Sequence, residues 1–271
     1  MSSKWTTGSV PDLSGKTFIV TGANSGIGYE AALALAQKRA SVVLACRNLE
    51  KGQAAMVAIR AVAPEAKLEL SQLDLGSLRS VRTFAEGFLS AHERLDVLVN
   101  NAGIMAIPRR QTEDGFEMQW GTNHLGHFAL TGLLIGRIIG SAPARVVNVS
   151  SMAHTMGSFD WDDLQLERSY AKWPAYGRSK LANLLFTNEL ARRLEGRAGG
   201  VVAVACHPGY AATNLQSVGP EMTGSTIGKL LMAAGNSIIA QSARKGALPT
   251  LYAATAPDVR GGDFIGPDGP M

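Results

Sequence analysis

Short apolar, β-rich runs alternate with longer helical patterns along nearly the whole chain, and this alternation constrains the fold more than any other feature. Residues 17–21, 41–46, 67–73, 95–100, 145–150 and 201–206 read as strands, and 263–266 adds a short seventh. Helical periods cover 26–39, 49–62, 77–91, a long stretch ending near Ile139, and 174–194. Pro174 is expected to open the last of these, a favoured place for proline. Strand–helix–strand units pack back onto their sheet through right-handed crossovers, which makes the strands parallel. The predicted fold class is therefore α/β, a doubly wound parallel sheet of six to seven strands with helices on both faces. Composition agrees, with 46% hydrophobic and only 18% charged residues, as a sheet covered on both sides requires.

No internal repeat or linker divides the sequence, so residues 1–271 are expected to form one domain. Segment 213–241 departs from the regular rhythm, mixing glycines with apolar residues such as Met222, Leu230, Leu231 and Ile238. It follows the C-terminal end of the last main strand, where open α/β sheets bind ligands. It reads either as an apolar cover over a substrate or as amphipathic helices packed on the sheet. No apolar run approaches the roughly 20 residues of a membrane span, and residues 1–13 lack a signal-peptide core. No membrane anchor is expected, and a cytoplasmic location is the default. The net charge of +4 comes from scattered basic residues, with no patch or motif that calls for a nucleic-acid partner. The two cysteines, Cys46 and Cys206, each end an apolar run and form neither a metal spacing nor a redox pair.

Two local patterns carry chemistry. Thr21-Gly-Ala-Asn-Ser-Gly-Ile-Gly28 stands between the first strand and the first helix, with glycines at 22, 26 and 28. Glycine permits a tight turn and lets backbone N–H groups approach a pyrophosphate at a helix N-terminus. Chains that bind NAD place a carboxylate about 20 residues beyond such glycines, against the ribose hydroxyls. Here the second strand ends Ala45-Cys46-Arg47-Asn48, without one. Arg47 suits a 2′-phosphate, whose oxygens match its planar fork. NADPH/NADP+ is thus the preferred cofactor, with NADH/NAD+ the second option. The other pattern is Tyr176-Gly-Arg-Ser-Lys180, which sets a phenol and an ammonium four residues apart on one helical face. A tyrosine with its ordinary pKa of about 10 is a poor base, and a neighbouring cation favours the phenolate.

These motifs resemble the short-chain dehydrogenase/reductase family from about Asp12 to Gly266. The resemblance implies a Rossmann fold and a cofactor held by Thr21, Gly22, Asn24, Ser25, Gly26, Ile27 and Gly28. Asn100-Asn101-Ala102-Gly103 matches the family's adenine-side motif, and Asp74, followed by Leu75, sits where the family contacts the adenine ring. His207-Pro208-Gly209 matches the turn flanking the nicotinamide, while Asn123, Ser151, Tyr176 and Lys180 match the catalytic tetrad. Within the family, Ala45–Asn48, Asn123-His-Leu-Gly-His-Phe-Ala-Leu-Thr131 and Ser179-Lys-Leu-Ala-Asn183 resemble the retinol dehydrogenase and protochlorophyllide reductase-like branch. That branch implies NADPH and a small hydrophobic carbonyl, alcohol or polyene substrate. Many retinol dehydrogenases carry an N-terminal anchor that is not evident here, and relatives commonly continue past the equivalent of Met271. A shortened form would lack part of the substrate cover.

The mechanism the resemblance implies is hydride transfer between nicotinamide C4 and a carbonyl carbon, with Tyr176 as proton donor or acceptor. Lys180 would lower the phenol pKa and hold the nicotinamide ribose. Ser151 would hydrogen-bond the carbonyl oxygen, and Asn123 would support a water linking Lys180 to solvent. Adjacent side chains of a strand face opposite ways, so only one of Ser150 and Ser151 reaches the site. Ser151 is chosen on its spacing from Tyr176 within the branch. His124 and His127 lie close to one helical face, but no carboxylate or cysteine completes a metal set, and packing is the favoured reading. His154 and His207 flank the site without an assigned role, and Trp120 and Trp161 are expected in the core or an interface. A homodimer through helices near 117–139 and 174–194 is compatible with the family. The alternative function is a non-catalytic NADPH-binding sensor or scaffold. Such proteins commonly lose the tyrosine or the lysine, and both are present here.

Overall fold

The computed structural model describes residues 5–196, 199–209 and 243–267. Seven strands form one parallel sheet: β1 Thr17–Thr21, β2 Ser41–Cys46, β3 Lys67–Gln72, β4 Val97–Asn100, β5 Arg145–Val149, β6 Val202–Cys206 and β7 Phe264–Ile265. Their spatial order is β3-β2-β1-β4-β5-β6-β7. The chain winds one way from β1 through β2 to β3, then returns past β1 to build the other half. The reversal between β1 and β4 opens a crevice at the carboxyl ends of the strands, where such sheets bind ligands.

Register shows how the sequence covers both faces. Val43, Ile19, Leu98, Val146 and Ala203 stand in one row across five strands, and all belong to one hydrophobic cluster. One residue further on, Leu44, Val20, Val99, Val147 and Val204 form the next row and belong to the other cluster. Side chains alternate across a strand, so consecutive apolar residues feed opposite faces. On the first face lie α3 Leu78–Ala91 and α5 Gly126–Gly140, through Phe84, Phe88, Leu130, Leu134 and Ile138. On the second lie α1 Gly26–Gln37 and α2 Leu49–Val62, through Ala32, Leu35, Met56 and Ile59. Edge strand β3 exposes Lys67 and only partly buries its apolar residues. Both cysteines are the last residues of their strands and are buried.

Several boundaries differ from the sequence reading. Strand β4 starts at Val97, because Asp96 turns its carboxylate to the sheet's lower edge and accepts the Thr17 N–H at 2.8 Å. Helix α6, Lys172–Leu194, begins two residues before Pro174. Proline in the first turn of a helix forfeits nothing, since the N–H groups there have no intrahelical partner. The long helical stretch is three pieces: α4 Met118–Trp120, a π-helical turn Gly121–Leu125, and then α5. The Glu117 carboxylate starts the series by accepting the N–H groups of Gln119 and Trp120. The Gly126 N–H then donates to the Gly121 carbonyl, five residues back. Trp120 is buried as expected, whereas Trp161 is 75% exposed and stacks on Phe159.

Two further helices, α7 Ala243–Gly246 and α8 Leu248–Thr255, precede β7. The segment 213–241, read from sequence as a substrate cover, lies outside the described residues. Among those described, no helix is long and apolar enough to cross a membrane.

Candidate active site

A cleft of about 760 Å³ runs along the carboxyl ends of β2, β1, β4 and β5. Its floor is the turn after β1, where Gly22, Asn24, Ser25, Gly26, Ile27 and Gly28 all line the cavity. Gly22 has φ +68°, which a side chain would strain. Gly28 lies so close under the turn that a Cβ there would strike the Gly22 carbonyl and come within 2.5 Å of Asn101 Nδ2. Asn101, Ala102 and Gly103 form the facing wall, and Asp74 and Leu75 a side wall. Asp74 accepts the Gly76 N–H at 2.8 Å and gives its own N–H to Ser80 Oγ at 2.9 Å, which fixes its loop.

At one end, Arg47 lines the cleft together with Asn48 and Lys51. Asn48 caps α2 by accepting the Lys51 N–H at 2.8 Å. The first turn of α2 therefore presents its amide groups beside two cations. Sequence reasoning singled out Arg47 and missed Lys51, although four residues on the first turn of a helix is a signal it could have used.

The other end belongs to α6 and the end of β5. Tyr176 and Lys180 line the cleft and are otherwise buried. Ser150 also lines the cleft, and its hydroxyl donates to the Lys180 carbonyl at 2.8 Å. Ser151 caps the 3-10 turn Met152–Met156 by accepting the Ala153 N–H at 3.1 Å, and its hydroxyl draws the Tyr176 phenol pKa down. Backbone contact fixes that pairing. A Cβ on Gly177 would lie 2.5 Å from the Ala153 carbonyl oxygen, and one on Gly157 would lie 2.6 Å from the Gly177 carbonyl. Lys180 Nζ donates to the Val149 carbonyl at 2.9 Å and stands 5.7 Å from the centre of the Tyr176 ring.

Burial dominates the electrostatics. It pushes the Tyr176 phenol up to about 12, against a downward pull from the Ser151 hydrogen bond. The same cause pushes Lys180 down to about 8. Burial outweighs the Ser151 contact, so the phenol stands above its ordinary value.

Asn123 and Ser151 stand just behind the residues that line the cleft. The π turn carries Asn123, whose amide oxygen accepts the Ile104 N–H at 2.8 Å. Its amide nitrogen donates to the Ile104 carbonyl and to Ser179 Oγ, each at 2.9 Å. The backbone carbonyl of Asn123 faces His127 Nδ1 at 3.0 Å and Asn183 Nδ2 at 3.2 Å. A carbonyl has two lone pairs, and protein donors occupy both.

Thr21 and Gly209 also fall outside the lining, whereas Pro208 belongs to it. Thr21 is fully buried behind the turn, and the Gly209 N–H donates to His207 Nδ1 at 3.2 Å. His124 pairs with Asn183 Oδ1 at 3.1 Å, and burial pushes its pKa down to about 4. Among the described residues, no group of three or more His, Cys, Asp or Glu could hold a metal ion.

The short chain dehydrogenase family matches residues 16–223 of the chain. Retinol dehydrogenase 13 of Homo sapiens is 45% identical over 260 residues, which cover 93% of this chain and 76% of that protein. Retinol dehydrogenase 12 of Homo sapiens is 50% identical over 203 residues, 75% of this chain and 64% of that protein. Against the latter, the chain spans less than two thirds of the relative's length. A crystal structure of an uncharacterised protein from Mycobacterium paratuberculosis superposes with a TM-score of 0.78 at 43% identity, covering 98% of this chain and 85% of that one.

Proposed function

The chain belongs to the short-chain dehydrogenase family, in its retinol dehydrogenase branch, and from that premise we propose an NADPH-preferring reductase of hydrophobic carbonyl compounds with Tyr176 as its acid–base group. The observation that carries the reading is one cleft lined by Arg47 and Lys51 at one end and by Tyr176 and Lys180, with Ser151 just behind them, at the other. Strands β2 and β5 are three sheet positions apart, roughly 14 Å at the usual strand spacing. That separation and the glycine cradle between suit an elongated anionic dinucleotide.

Residues at the first end fit the extra phosphate. Among the described residues neither Arg47 nor Lys51 has an ion-pair partner, and the capped start of α2 adds its N–H groups. When bound, the nicotinamide supplies or accepts the hydride at the substrate carbon. Tyr176, a phenol at neutral pH, donates its proton to the carbonyl oxygen as that oxygen gains the electron pair of the C=O bond. Ser151 supports the same oxygen with a preoriented hydroxyl dipole. Lys180 Nζ, 3.6 Å from where a Cβ on Gly103 would lie, would hold ribose hydroxyls. Asn123 braces the Ile104 backbone and Ser179 around this cluster. A phenol kept protonated favours reduction over oxidation.

The test is NADPH consumption over a panel of hydrophobic aldehydes, ketones and quinones, with NADH and Tyr176→Phe run alongside. The expected result is turnover that favours NADPH and falls by about 10²–10⁴-fold in the variant, the worth of general acid catalysis, with NADPH binding retained. A variant as active as the parent would end the assignment of Tyr176. Tight NADPH binding without turnover anywhere on the panel would turn the reading toward a sensor.

A further inference from the structure

We infer that His127 is a positioning residue, a single directional link between the cofactor-facing wall of the cleft and the Asn123–Lys180 cluster. The inference rests on the reading of this cleft as a dehydrogenase site. His127 is 2% exposed on α5, directly after the π turn, and touches no part of the cleft itself. Its two ring nitrogens face different halves of the site. Nδ1 lies 3.0 Å from the Asn123 carbonyl oxygen, and Nε2 lies 2.9 Å from the Thr21 hydroxyl.

Every proton in this chain has one place to be. A carbonyl only accepts, so Nδ1 must carry the hydrogen. Burial pushes the ring's pKa down to about 3, so the imidazole is neutral and Nε2 is bare. Nε2 therefore accepts, and the Thr21 hydroxyl must donate to it in preference to the Val99 carbonyl, which is farther away at 3.3 Å. The lone pairs of Thr21 Oγ1 are then left for the N–H groups of Asn101 and Ala102, both at 2.9 Å. Asn101 also donates through Nδ2 to the Thr21 carbonyl at 2.8 Å. Asn101 and Ala102 are cleft wall.

At the far end the chain reaches the ammonium. Asn183 Nδ2 is shared between the Asn123 carbonyl at 3.2 Å and the Val149 carbonyl at 3.4 Å. Val149 is the acceptor that holds Lys180 Nζ. One imidazole thus ties the loop after β4 to the acceptor of the buried lysine, with protein groups alone.

The tautomer itself is measurable. The imidazole ¹⁵N spectrum of the wild-type chain should show His127 protonated at Nδ1, bare at Nε2, and unchanged between pH 8 and pH 5. Two variants each preserve one end of the link. His127→Asn keeps a donor where Nδ1 stands, and His127→Gln keeps an acceptor near Nε2. NADPH affinity, by titration of protein fluorescence, and kcat, with nonanal as the probe aldehyde, should split between them. The Asn variant is expected to bind NADPH about tenfold more weakly with kcat little changed, and the Gln variant to show the reverse, each the worth of roughly one hydrogen bond. Thr21→Val should weaken NADPH binding at least as much as the Asn variant, since it also removes the acceptor of the Asn101 and Ala102 N–H groups, and the double variant Thr21→Val/His127→Asn should lose no more than Thr21→Val alone.

Equal losses in the Asn and Gln variants, additive losses in the double variant, or a ring that titrates near its ordinary value would overturn the inference. Should the His127 variants fail to fold, the wild-type spectrum still decides it: a His127 protonated at Nε2, or titrating near its ordinary value, overturns the link. A wild-type chain that binds NADPH but leaves every aldehyde untouched would sink the reductase reading, and the spectrum and the NADPH titrations would test the link regardless.

Discussion

Lys180 brings a positive charge into a space that strips water from it, and the cost appears as a pKa near 8. The group is charged below that value and neutral above it. If the charge orients the nicotinamide ribose and the proton donor, kcat for reduction stays level up to about pH 8. Above that it falls about tenfold per pH unit, as one deprotonation dictates. A pH–rate profile checks this, and a level profile through pH 9.5 would remove the ammonium from the mechanism. Lys51 acts at the opposite end. Lys51→Ala is expected to weaken NADPH binding about tenfold, within the range for a charge-assisted hydrogen bond, and to leave NADH binding unchanged. Equal weakening of both cofactors would place the lysine's effect on α2 rather than on a phosphate. At this scale much was legible, because Arg47, Tyr176 and Lys180 are residues whose chemistry is distinctive alone. The engaged carbonyl of Asn123 was not legible, since its donors His127 and Asn183 come from a different turn and a different helix.

Gly177 of α6 meets the turn Met152–Met156 backbone against backbone. Any side chain at Gly177 has to push that turn away, and Ser151 is its cap. Gly177→Val should therefore leave the far-ultraviolet circular dichroism intact while lowering kcat about 10²-fold, the usual effect of misplacing a catalytic group by an ångström. An active Gly177→Val enzyme would mean that Ser151 tolerates displacement. Sequence period located β2 and α2 at their observed bounds, because Asn48 and Pro64 punctuate them. It could not find the turn at Gly121–Leu125, since an i→i+5 register leaves the apolar pattern on either side looking like one helix.

Across the whole molecule, the site occupies one rim of the sheet and a charged tie occupies the other. The Asp96 side chain is 3% exposed at the lower ends of β1 and β4. Burial raises its pKa, but donors from Arg94, the Thr17 N–H and Lys16 outweigh that and hold the carboxyl below its ordinary value of 3.8. A depressed carboxyl pKa stabilises the fold above the unfolded value and loses that contribution as pH falls through the folded one. Asp96→Ala should cost about 3 kcal/mol at pH 7, as removal of one partner from a buried charge cluster does. The difference from wild type should shrink below pH 3.8, which denaturant unfolding at pH 7 and pH 3 would measure. A deficit that did not change with pH would assign the loss to packing. The parallel sheet was legible from the alternation of patterns, and the tie was not, because Arg94 and Asp96 have no evident partner until Thr17 and Lys16 are laid beside them. The π turn also acts at this scale. Leu130, Leu134 and Ile138 point at the sheet while Asn123 reaches Ile104 and Ser179 behind the cleft, and the extra residue in the turn sets the angle between those two demands. Deleting one residue there would restore an unbroken helix and rotate everything beyond it by about 100°. The chain could then seat its hydrophobic stripe or its asparagine, but not both, so its tolerance of sequence change is bounded by a count of residues as well as by their identities.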